Sequence, residues 1–142
     1  NKLKDFKNLV IKKFNQLKMD LTKQKMLYVD TIISPSALNE EFYNNISLLS
    51  PFGPGNSEPK FIIQDVKVIN ATLIGTKHIK VIFYGKNGKS FKGMAFNSQK
   101  TVYEKYLTKL YKKPLNIAGQ MFLNDWKGSR HIEFLIEDIS IH

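Results

Sequence analysis

Apolar positions at the start of the chain, Leu3, Phe6, Val10, Phe14 and Leu17, recur every three or four residues. That is the spacing of one stripe along a helix. Lys4, Lys7, Lys12 and Lys13 fall mostly off the stripe, and the polar run Lys18–Lys25 ends it. From Leu27 to Ile33 the period changes to two: Leu27, Val29 and Thr31 alternate with Tyr28, Asp30 and Ile32, which predicts a strand. Ser34-Pro35-Ser36 breaks it. A second helix is predicted over Glu40–Leu49, with Asn39 as its N-cap and Phe42, Ile46 and Leu49 as its apolar face. The run Pro51–Pro59 then holds three prolines and two glycines in nine residues, which excludes helix interior and central strand. A boundary between two units is expected there, dividing residues 1–56 from 57–142.

Beyond the connector the pattern becomes strand-rich. Phe61–Ile74 is a long strand candidate with Val66 and Val68 inward, Ala71 and Leu73 as further inward candidates, and one shift of register. Ile79, Val81 and Phe83 alternate with Lys80, Ile82 and Tyr84. The sequence Gly85-Lys86-Asn87-Gly88 carries an Asn-Gly hairpin signal, and Ser90–Phe96 is the third strand. Thr101–Tyr111 reads as a helix on Val102, Tyr106 and Leu110. Leu115–Leu123 and His131–Ile141 are two further strands around a loop at Asn124–Ser129. The order of three strands, helix and two strands fits a five-stranded OB-fold β-barrel. An SH3-like barrel also has five strands, but no full helix between the third and fourth. The expected class is therefore α+β: the barrel, preceded by a small helix–strand–helix segment.

Charge narrows the choice of partner. The chain has 142 residues, 22 Lys+Arg and 12 Asp+Glu, a net charge of +10. The segment Lys77–Lys113 alone contains ten lysines and one acid, Glu104, which favours a polyanion. Cysteine is absent, so thiol chemistry and disulfides are excluded. His78, His131 and His142 have no metal-binding spacing. Glu137 and Asp138 are adjacent, and on a strand they point to opposite faces. No nucleophile elbow occurs, and no apolar run is long enough to span a bilayer. No catalytic or metal-ligating set is expected in this segment.

An OB barrel binds unpaired nucleic acid on the face of its second and third strands, with cations following the phosphates and rings stacking on the bases. Here Lys80 and Tyr84 share one face of the second strand, and Lys92 and Phe96 share one parity of the third. Lys77 lies in the first inter-strand loop; Trp126, Lys127 and Arg130 lie in or beside the fourth. These eight residues form the candidate binding set. Trp126 has two readings, a stacking platform or a cap on the barrel mouth.

Two motifs carry a resemblance. The run from Leu49 to Pro59, Leu-Ser-Pro-Phe-Gly-Pro-Gly-Asn-Ser-Glu-Pro, resembles the L-x-P-F-G-x-G-N-x-x-P connector of bacterial RecJ-type single-stranded-DNA exonucleases. It follows Tyr28-Val29-Asp30 and the second helix, as in that family. Leu123-Asn124-Asp125-Trp126-Lys127-Gly128, followed by Glu137-Asp138-Ile139, is similar to the end of the family's OB domain. One departure stands out: Glu133 occupies a position where the family often has Gln, and an exposed acid there would repel phosphate. Glu133 is left out of the candidate set for that reason.

The resemblance implies that residues 1–56 are the end of a DHHA1-type domain and residues 57–142 an OB domain. The first residue, Asn1, is not Met, so a piece of a longer chain is expected. The Asp-His-His centre, its Mn²⁺ or Mg²⁺ ions and the catalytic residues would lie upstream, leaving none here. The implied whole is a cytoplasmic bacterial 5′-to-3′ exonuclease of repair and recombination. The expected partners are single-stranded DNA and the protein's own catalytic core, with a dimer through the N-terminal segment if that segment is left unpaired. The rival reading is a protein-interaction module that docks on a nuclease core or a repair partner. A third, an independent nuclease, would need catalysis by these 142 residues themselves.

Overall fold

A computed structural model of the chain describes residues 8, 9, 11, 26–108, 111–126 and 128–141, with Trp126 described by its backbone alone. The stripe expected from Leu3 to Leu17 lies largely outside the described residues, as do Lys127 and Leu110.

The six strands among the described residues are β1 (Thr31–Ile32), β2 (Phe61–Ile74), β3 (His78–Tyr84), β4 (Ser90–Ala95), β5 (Leu115–Trp126) and β6 (Ser129–Ile141). Their neighbour order is β1-β2-β3-β4-β6-β5, and β2 also pairs with β5. Strands β2 to β6 therefore close into a ring. The ring depends on β2 serving two neighbours in succession. Its first half, Phe61 to Val66, pairs with β5, and its second half, Lys67 to Ile74, pairs with β3. Two irregularities, between Ile63 and Val66 and between Val68 and Asn70, turn the strand between these tasks, the bending that bulges supply. Asp65 at φ 55 lies within the first.

Closure places one set of side chains inside. Phe61, Ile63, Val66, Val81, Phe83, Leu115, Ile117, Met121, Phe134 and Ile136 are buried together. Phe83 and Phe91 stack at 5.3 Å between ring centres. Gly93 permits that packing, because a Cβ there would lie 2.9 Å from the Phe83 ring. Gly119 sits at the register shift of β5 against β6, where a Cβ would lie 1.8 Å from the Leu135 carbonyl oxygen.

The N-terminal segment is tied to the ring's edge. β1 runs parallel to the start of β2. The Asp30 amide donates to the Lys60 carbonyl, and the Asp30 carboxylate accepts from the Lys60 amide, each at 2.8 Å. Helix α1 (Glu40–Ser47) begins at Asn39, whose side chain accepts from the Phe42 amide at 2.9 Å. Phe42 and Ile46 pack on the core, while Leu49, expected on the same face, is 58% exposed. The connector is a folded turn: Asn56 Nδ2 donates to the carbonyls of Leu49 and Pro51, both at 2.9 Å.

The chain is mostly β with one short helix among the described residues, and two expectations are corrected. The predicted helix at Thr101–Tyr111 is a succession of turns through residue 106. Lys100 enters it at φ 61, and the Thr101 hydroxyl binds locally, donating to the Ser98 carbonyl at 2.6 Å. Such local bonds compete with a helix. Leu107, 1% exposed, fixes the segment to the core while Val102 is 68% exposed, so the assumed stripe is not the one buried. Likewise, the loop expected at Asn124–Ser129 is largely hairpin: Asn124 pairs with His131, Asp125 with Arg130 and Trp126 with Ser129. Gly128, at φ +75, makes the turn.

The adjacent acids of β6 also tie segments together. Glu137 accepts a short hydrogen bond from the Lys60 ammonium, and Asp138 accepts from the Tyr103 hydroxyl at 2.9 Å. Burial, then the Asp138 bond and its negative charge, hold the Tyr103 phenol above its ordinary pKa of 10.0.

Two outcomes follow. Gly119→Ala should lower stability by about 1–3 kcal/mol, the usual cost of forcing atoms into a packed site, read by urea denaturation. The protonated Tyr103 is favoured by folding, so its contribution is complete below the unfolded pKa and is lost as pH rises through the higher folded value. Melting temperatures should fall above about pH 10, and Tyr103→Phe should make that alkaline fall shallower.

Candidate nucleic-acid interface

Because Ile79, Val81 and Phe83 point inward on β3, and Phe91, Gly93 and Ala95 on β4, the alternate residues form one outer surface. Cross-strand register sets their pairs: Tyr84 faces Ser90, Ile82 faces Lys92, and Lys80 faces Met94. Just beyond β4, Phe96 meets His78 edge-on, with ring centres 5.0 Å apart. The Asn97 amide donates to His78 Nδ1 at 3.1 Å and holds that imidazole in place. β2 extends the surface, with Lys67 opposite Tyr84, Asn70 opposite Ile82 and Thr72 opposite Lys80.

Tyr84 and Phe96 are 47% and 53% exposed. They stand at opposite ends of the β3–β4 surface, with Lys92 exposed between them. His78 and Tyr84 are the two ends of β3, about 20 Å apart at the usual strand rise. A cavity of about 290 Å³, lined by Asp65, Lys67, Tyr84, Gly85, Lys86 and Pro114, opens at the Tyr84 end.

Lys80 is not a free cation. Its ammonium lies 3.1 Å from Glu133 Oε1. Glu133 is fully buried, on the β6 positions that alternate with inward Ile132, Phe134 and Ile136. The same oxygen accepts from Asn124 Nδ2 at 3.0 Å, while Oε2 is buried with no hydrogen-bond partner among the described residues. An exposed acid at Glu133 would repel phosphate; this one is covered and ion-paired instead.

Of the eight candidates, Lys80, Tyr84, Lys92 and Phe96 come together on this surface. Lys77 is exposed in the β2–β3 turn, where its carbonyl accepts from the Gln99 amide at 3.2 Å. Arg130 is exposed near the start of β6, opposite Asp125. Trp126 ends β5, and both its side chain and Lys127 lie outside the described residues. Lys67 and His78 belong to the surface but were not anticipated. Inward Val66 and Val68 already turned Lys67 outward; the unlocated bulge after Val68 hid its place opposite Tyr84. For His78 the signal was present: it continues the Lys80–Ile82–Tyr84 parity.

Comparison with known proteins agrees with this architecture. A family model described as the RecJ OB domain matches residues 29–138, across the connector and all five strands of the ring. The chain belongs to the RecJ OB-domain family. Two solved structures of RecJ from Thermus thermophilus, in complex with Mn²⁺ and with Mg²⁺, share its fold at a TM-score of 0.57, with 23% and 22% identity. Each comparison covers 80% of this chain, but only 15% and 16% of the Thermus chains. A search of curated proteins returned no match. Those structures hold metal. Among the described residues of this RecJ OB domain, no group of three or more His, Asp or Glu could hold one. No helix among them is long and apolar enough to cross a membrane.

The ion pair gives a direct stability test. Lys80→Met strands a buried carboxylate and should cost on the order of 3 kcal/mol, the low end for breaking a buried pair because the ammonium is itself partly exposed. Lys92→Met should stay within about 0.5 kcal/mol, as for ordinary surface positions. Paired urea titrations of the two variants read the difference.

Proposed function

We propose that this chain is the strand-holding OB barrel of a 5′-to-3′ single-stranded-DNA exonuclease acting in repair and recombination. Phosphoryl chemistry, with Mn²⁺ or Mg²⁺, belongs to other parts of a longer bacterial cytoplasmic protein. Residues 57–142 are the barrel, and residues 1–56 the end of the preceding DHHA1-type domain. Family membership supports the parentage. The observation that carries the binding role is the β3–β4 outer surface, with an exposed ring at each end and a cation between them.

Unpaired bases stack on Tyr84 and Phe96, and Trp126 adds a further ring. Phosphates run past Lys92, Lys77, Lys127 and Arg130. Lys80 lines the surface with its charge already matched. Stacking and phosphate attraction read no particular base, which suits an enzyme that travels along any sequence. A specific observation also favours docking on the protein's own catalytic core: Leu48 and Leu49, adjacent in the chain, are 81% and 58% exposed, a contiguous apolar spot of the kind a partner covers.

Tyr84→Ala and Phe96→Ala should each weaken binding of a labelled oligothymidine by about 1–3 kcal/mol with unchanged circular dichroism. Full affinity in both variants would remove the rings from the footprint. Retained DNA affinity in Leu48→Ser/Leu49→Ser, with loss of association to the catalytic domains, would separate the docking surface from the DNA surface.

A further inference from the structure

We infer that Glu133 sets the strength with which the outer surface holds a polyanion, by keeping Lys80 in an internal ion pair. This rests on the strand-binding reading. Glu133 is wholly buried beneath a cationic surface. Lys80 lies 3.1 Å from one oxygen, and Asn124 donates to that same oxygen at 3.0 Å; the other oxygen has no hydrogen-bond partner among the described residues. If Lys80 swung out to a phosphate, the carboxylate would be left buried without its cation, so Lys80 stays when a strand arrives. The pair then adds no net charge to the surface. Lys92, exposed and in no ion pair among the described residues, acts with its whole charge. A count of lysines along the sequence therefore overstates the pull on phosphates at Lys80. Glu133 is a positioning residue whose effect reaches the strand through Lys80.

The test is the salt dependence of oligothymidine binding, by fluorescence anisotropy between 50 and 200 mM salt, on the full 142-residue chain. Glu133→Gln keeps the shape and releases the charge of Lys80. The slope of log affinity against log salt should steepen by about 0.7, the value of one phosphate contact on a single strand. Its advantage over the unsubstituted chain should shrink about 2.5-fold over that fourfold rise in salt. The double variant Lys80→Met/Glu133→Leu replaces the pair by apolar groups, and should bind with unchanged affinity and slope although one lysine is gone. Lys92→Ala should flatten the slope by about 0.7. If Glu133→Gln fails to fold, the double variant carries the test. A flatter slope in the double variant, or no change in a folded Glu133→Gln while Lys92→Ala flattens the slope, overturns the role of Glu133 and leaves the strand-binding reading standing. No salt-dependent binding by the unsubstituted chain overturns both.

Discussion

The structure depends on one strand pairing twice. β2 gives its first half to β5 and its second half to β3. Without the β2–β5 contact the remaining order would be an open sheet with two free edges, a liability for strands of this length. With it, the ring's inward side chains are sealed from water along most of β2 to β6, and the outward ones form a continuous outer surface. The buried Phe83–Phe91 stack and the exposed Tyr84 and Lys92 are consequences of the same alternation, seen from its two sides. Gly119 marks how tight the closure is, since the neighbouring strand's backbone occupies the space of a side chain.

The residues that gave the chain its family resemblance now have physical roles. Asn56 of the connector binds the carbonyls of Leu49 and Pro51 and folds a glycine- and proline-rich run into a turn. Asp30 pairs twice with the backbone of Lys60, and Glu137 holds the side chain of that same lysine. Asp138 fastens the turn segment at Tyr103. Each of these groups bonds to another part of the same chain. They set how the segment before the connector meets the ring, which is the relation that a nuclease core and a strand-holding unit would need to keep fixed.

Much of this was legible in the sequence, and the limits have physical causes. Strict alternation made the inward Ile79, Val81 and Phe83 readable, and with them the face that carries Lys80 and Tyr84. β2 was not readable in the same way. A bulge reverses the parity of everything after it, and two occur within one strand where one shift was expected, so Lys67 could not be put opposite Tyr84. The helix expected after Thr101 rested on Val102, whereas Leu107 is the side chain that the core takes up. That helix had served to favour an OB over an SH3-like barrel; the family match decides the matter without it. Glu133 was judged only as an exposed acid. Its partner, Lys80, lies 53 positions away, beyond the reach of any local pattern.

The claim that the β3–β4 outer surface receives an unpaired strand can be tested residue by residue. Titrating oligothymidine into the isotopically labelled chain and following backbone amide shifts by NMR would map the contact. The account predicts changes concentrated at His78–Tyr84, Ser90–Phe96 and the β2–β3 turn, with α1 unmoved. Changes confined to α1 and the connector, with β3 and β4 silent, would contradict it.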